Sequence, residues 1–136
     1  MIVNGTEIHL DNLGDPAVSV DAMLAAMAIA RQNDSAIVFA EEVGGRPGNG
    51  VARNWAFAYG VGRLHAIIEC VWKDTQWVFV RPQVWQSDLD CLTGGNKNVT
   101  KAKAMELFPC RKITHRNADA LLIDYWGRNI HGTKIL

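Results

Sequence analysis

Three acidic positions in this sequence stand where carboxylates can do chemistry. Glu41 and Glu42 follow the apolar run Ala36-Ile37-Val38-Phe39-Ala40, and Asp119 falls two residues after Asn117, at the head of a C-terminal helical stretch. In an open α/β sheet, ligands bind beyond the carboxyl ends of the strands, which is where Glu41 and Glu42 would stand. The first turn of a helix carries partial positive charge that favours an anion such as Asp119. A carboxylate from a strand end and one from a helix start can converge on one side of a sheet. Carboxylates gathered without lysine or arginine partners suit a hard cation such as Mg2+. Two such ions can clamp the attacking and leaving oxygens of a phosphodiester. The same acids also read as solvent-facing loop residues and as a favourable helix-start charge, so spacing alone leaves both readings open.

Other reactive residue types narrow the chemistry. The histidines are His9, His65, His115 and His131, and no HxxxH or HExxH pair is present. His115 lies four residues before Asp119, where it can orient a water or steady a phosphate, or simply be a surface histidine. The glycine loop Gly44 to Gly50 has neither the GK[S/T] ending of a phosphate-binding loop nor the GxGxxG pattern. Cys70, Cys91 and Cys110 form no CxxC pair and no Cys/His ligand spacing, which argues against a zinc site and a disulfide framework. Trp55, Trp72, Trp77, Trp85 and Trp126 are expected mainly in the core.

Charge is distributed unevenly although it sums to zero. Residues 1–90 hold six Lys/Arg against eleven Asp/Glu, a balance of −5, and residues 91–136 hold eight against three, a balance of +5. A basic C-terminal third can track phosphates. No apolar stretch is long enough to span a membrane and no signal peptide is recognisable, so a soluble, cytoplasmic protein is expected.

The elements that would position these residues follow from punctuation and periodicity. Asn4-Gly5 predicts a hairpin within 2–10 whose first arm is only about three residues long. Met23, Leu24, Met27 and Ala28 have helical spacing, giving a helix from Ser19 or Asp21 to Gln32. The run 36–40 predicts a strand buried on both faces. A long helix is expected from Val51 to Cys70, with Ala58, Gly62 and Ala66 as a row of small residues that lets it approach a sheet. A strand over 76–81, a short helix from Pro82, a helix capped by Thr100 and stopped by Pro109, and a last helix from Asn117 to Trp126 complete the order. Strands alternating with helices predict one α/β domain with parallel pairs in its sheet.

Four segments together resemble a known family. The stretch IVFAEEVGGRPGNGV over 37–51, the segment Arg81-Pro82-Gln83-Val84-Trp85, the Leu92-Thr93-Gly94 loop with Lys97, Lys101 and AKAMELFP over 102–109, and HRNADALL over 115–122 are similar to the RuvC-like Holliday-junction resolvases of phages and bacteria. The similarity spans about residues 6–129. It implies a ribonuclease H-like mixed sheet with helices on both faces. It further implies a metal-dependent endonuclease, using Mg2+ or Mn2+, that cuts branched DNA, usually as a homodimer. Carried over by position, Glu41 and Asp119 would be catalytic metal ligands, with Glu42 the substitute if the register at Glu41 is displaced. His115 would be a further catalytic group, and Gln83, Lys97 and Lys101 would contact DNA. The family's first strand, of the type GIDPG with a catalytic aspartate, has no counterpart before Ile2, and Asp11 and Asp15 come after the hairpin. The expectation is therefore an N-terminally incomplete domain with impaired cleavage, or a catalytically inactive relative that binds branched DNA or a partner subunit.

Overall fold

The computed structural model describes residues 2–3, 6–7, 24, 28, 35–42, 44–45 and 47–132. At the N-terminus, β1 (Ile2–Val3) pairs with β2 (Thr6–Glu7), the pairing that the expected hairpin requires. Of the helix expected over 19–32, Leu24 and Ala28 are described, and both are helical. The rest of that helix and the loop over 11–16 lie outside the described residues.

The centre of the chain is a β-α-β unit. Strand β3 (Ser35–Glu41) leads through a turn into helix α1 (Val51–Val71), which returns to β4 (Asp74–Val80). β3 and β4 pair in parallel as a two-stranded sheet, and the Glu42 N–H bonds the Val80 carbonyl at 2.8 Å where they end. The architecture is mixed α/β. Pro47 and Gly48, the latter at φ +88°, make the turn before the helix, which a side chain at position 48 would strain. The Gly50 carbonyl then accepts from Arg53 and Asn54, both at 3.1 Å, and the Asn54 amide holds the Asn49 carbonyl at 3.2 Å. At the far end the Trp72 N–H bonds the Ile68 carbonyl, and the Thr75 hydroxyl donates to the Trp72 carbonyl at 2.9 Å.

Two expectations about burial fail. β3 is not buried on both faces: Ile37 is 61% exposed, and the remaining side chains are half-buried or exposed. In this sheet β3 has β4 as its neighbour among the described strands, so a continuous apolar run does not by itself secure cover. The row Ala58, Gly62 and Ala66 is exposed, and a Cβ added at Gly62 would meet nothing within 4 Å. The buried face of α1 is instead carried by Gly60, Ile67, Ile68 and Val71.

The chain divides into two compact units. One holds residues 3–38 and 43–76, and the other holds 39–42 and 77–136. The second unit contains α2 (Pro82–Asp88), α3 (Asn98–Leu107) and α4 (Ala118–Trp126). Pro82 opens α2 after the extended Arg81, a position where its missing N–H costs nothing. α3 begins three residues earlier than a Thr100 cap would give. Lys97 is its N-cap, and the Thr100 hydroxyl donates to the Lys97 carbonyl at 3.3 Å from inside the first turn. Both α2 and α3 pack against α4. α4 does not stop before Gly127 as expected but widens into a π-helical turn, Gly127–His131.

The core of this unit is built from Val80, Trp85, Leu89, Cys91, Ala104, Ala118, Leu122, Ile123 and Trp126, flanked by Phe39 and Val78 from the strands. The Trp126 indole N–H is satisfied by Asp88 Oδ2 at 2.7 Å, as a buried indole requires. Among the described residues, no helix is long and apolar enough to cross a membrane.

Candidate functional site

Glu41 is the last residue of β3 and Asp119 lies in the first turn of α4. Both therefore occupy the kinds of position the sequence assigns to them, and both border the core of the second unit. Glu41 Oε2 accepts a hydrogen bond from the Trp85 indole nitrogen at 3.2 Å. Trp85 is fully enclosed at 0% exposure and packs in the same cluster as Ala118 and Leu122 of α4. A half-buried carboxylate is thus oriented by a rigid ring whose own position the core fixes.

Glu42 is different. Arg81 Nε donates to its Oε2 at 3.2 Å, and the side chains are 73% and 56% exposed. A surface pair of this kind contributes about 0–1 kcal/mol. Glu42 is thus held by an arginine, so the expectation of carboxylates without cationic partners fails for it.

Asp119 Oδ1 is a buried oxygen with no hydrogen-bond partner. Buried polar atoms in native proteins are nearly always paired, and an unpaired one calls for a physical explanation. The field around it is mixed. The Cys91 thiol, 2% exposed, has its pKa pushed up by burial; the charge of Lys103 opposes that rise, and Asp119 and Asp90 add to it. The thiol therefore lies within the field of the ammonium and of both carboxylates. No group of three or more His, Cys, Asp or Glu side chains converges on one point among the described residues.

The remaining candidates are dispersed over the same unit. Gln83 is exposed in the first turn of α2, Lys97 is exposed at the N-cap of α3, and Lys101 is half-buried one turn later. His115 is exposed in the turn that leads into α4. Asn117 occupies the N-cap position of α4, yet its side chain does not cap the helix. It turns back into the preceding loop, accepting from the Thr114 N–H at 2.8 Å and the Thr114 hydroxyl at 3.2 Å, and donating to the Lys112 carbonyl at 3.0 Å.

In the first unit, a cavity of about 290 Å³ lies between Gly44-Gly45 and the face of α1 that carries Asn54, Phe57 and Val61. It contains no titratable side chain, and Asn54 is already engaged with Asn49. Sequence reasoning did not foresee the indole that holds Glu41 or the bare oxygen of Asp119. One signal pointed toward the first: a tryptophan N–H must find an acceptor when buried.

Comparison with known proteins gives no match: no protein-family model and no curated protein is similar enough to the chain to identify it.

Proposed function

We propose that the chain is a divalent-metal-dependent endonuclease of the RuvC-like type, with a ribonuclease H-like fold, that cuts branched DNA such as Holliday junctions. The observation that carries the reading is the enclosed, unpartnered Oδ1 of Asp119. A bare buried carboxylate oxygen costs about 1–3 kcal/mol or more, and a cation removes that cost. Glu41, fixed by Trp85, supplies a second hard oxygen ligand. Two carboxylates suit Mg2+ or Mn2+, since Mg2+ is commonly held by one or two carboxylates while water and substrate phosphate complete its shell.

A bound Mg2+ or Mn2+ supplies charge to the transferring phosphate and an activated water. The chain's own residues do the rest. Glu41 and Asp119 hold the negative charge that retains the cation. Gln83, Lys97 and Lys101 bind the strands, and His115 steadies a phosphate beside the head of α4. A homodimer belongs to the same reading. It is supported by α1, whose first half exposes Val51, Trp55 and Tyr59 at 80%, 68% and 49%, four residues apart on one face, an apolar surface of the kind that marks an interaction site.

The test is cleavage of a labelled four-way junction with Mg2+ or Mn2+ by the chain and by its Glu41→Gln and Asp119→Asn variants. The expected result is metal-dependent cleavage that both amides abolish. Either amide cutting at the parent rate overturns the assignment. Junction binding without any cleavage replaces it with an inactive binding relative.

A further inference from the structure

The loop between α3 and α4 presents a row of basic side chains of which the catalytic reading uses only His115. Arg111, Lys112, His115 and Arg116 are all exposed, and no acidic residue lies between Glu106 and Asp119. Two cations elsewhere in this unit sit beside an acid one turn away: Lys103 pairs with Glu106 at 3.3 Å and Arg128 with Asp124 at 2.9 Å. Lys112 and His115 make no ion pair among the described residues.

The loop is also built from within. Asn117, 7% exposed, binds Thr114 twice and Lys112 once through its side chain. The Arg111 N–H bonds the Phe108 carbonyl at 3.0 Å, and the Ala118 N–H bonds the Thr114 carbonyl at 3.1 Å. These bonds fix the backbone, so the positions that carry the outward basic side chains stand at set spacings and only the side chains remain to be ordered on binding. The one large apolar side chain of the segment, Ile113, packs inward against the core. A protein partner needs apolar or aromatic anchors at its centre, and this surface offers none. A phosphate polymer needs only cations and donors, and it carries one charge per about 1.7 Å of duplex axis.

We propose that the Arg111–Arg116 loop is a phosphate-backbone contact that seats a DNA strand beside the head of α4. The inference rests on the nuclease reading for the identity of the polyanion and for nothing else.

The test is the salt dependence of binding, measured by fluorescence anisotropy on a labelled four-way junction and a labelled linear duplex, without divalent metal. Removing one cation that neutralises a phosphate lowers the slope of log K against log salt by about 0.9. Lys112→Gln is expected to lower it by that amount, and Lys112→Gln/Arg116→Gln to lower it further, by up to about 1.8. Arg128→Gln removes the same charge from a paired site and is expected to leave the slope unchanged. Circular dichroism confirms that each variant folds. An unchanged slope in the loop variants, or an equal drop in Arg128→Gln, overturns the loop assignment while metal-dependent cleavage by the parent chain still stands. A lowered slope in a chain that never cleaves supports the loop and removes the nuclease. Binding to vesicles containing phosphatidylserine, with none to either DNA, overturns both.

Discussion

Replacing Gly127 with alanine isolates one close approach on which the second unit depends. Gly127 is buried at φ −58° and ψ −46°, an ordinary right-handed helical conformation. Backbone geometry therefore accepts alanine, and the reduced freedom of the unfolded chain favours it by about 0.4–1 kcal/mol. Space does not accept it: an added Cβ would overlap the Phe39 ring, well inside contact distance. Phe39 cannot swing aside cheaply, because its ring meets Trp126 edge-on at 6.4 Å and His131 at 6.2 Å. An overlap this deep puts the cost at the upper end of the about 1–3 kcal/mol of overpacking, so the net loss is about 2 kcal/mol. Urea denaturation should show a lower midpoint with an unchanged slope. In the double variant Phe39→Leu/Gly127→Ala, the smaller side chain relieves the overlap, and the loss should fall short of the sum of the single losses by about 0.5 kcal/mol or more. A midpoint equal to or above the parent's would refute the reasoning. Because Phe39 and Glu41 are alternate residues of β3 and project from one face, Gly127→Ala should also lower cleavage beyond its effect on stability.

Two further perturbations probe the site from its surroundings. Trp85→Phe keeps most of the ring but removes the donor to Glu41 Oε2; Mn2+ affinity should weaken by about tenfold, as when a hydrogen-bond partner of a metal ligand is removed, and unchanged affinity would separate Glu41 from the metal. Burial raises the Cys91 pKa above its ordinary value, so the folded chain holds that proton more tightly than the unfolded chain does. Stability is then fully present below the ordinary thiol range and falls as pH climbs through it toward the folded value. Thermal melts of the parent and of Cys91→Ala across alkaline pH should show a slope that the variant lacks, and parallel curves would sink the argument.

The order of elements was legible because glycine and proline punctuate it. Pro47-Gly48 and Pro82 mark where helices begin, and the apolar runs 36–40 and 77–80 mark the strands that pair. Burial was much less legible. The apolar run of β3 and the small-residue row of α1 both suggest close packing, yet a sequence period says which residues share a face and not whether anything covers it. One helix start shifted for a local reason: Thr100 is a good cap by type, but its hydroxyl turns to the Lys97 carbonyl from inside the first turn. Asn117 keeps the expected N-cap position while its side chain turns to the Thr114 N–H. For the site, the positions of Glu41 and Asp119 on a strand end and a helix start were readable from flanking residues. Glu41 and Trp85 are 44 residues apart in the chain, and no local pattern encodes that pairing.

The indole held against Glu41 also gives the protein an optical channel into its own interior. An indole's emission responds to charge near its ring nitrogen, and Trp85 is shielded from solvent while Trp55, on α1, is largely open to it. A water-soluble quencher silences the open ring first, leaving light from the enclosed ones. Any event that alters the charge on Glu41 then changes the colour or lifetime of that residual emission, without a label and without turnover.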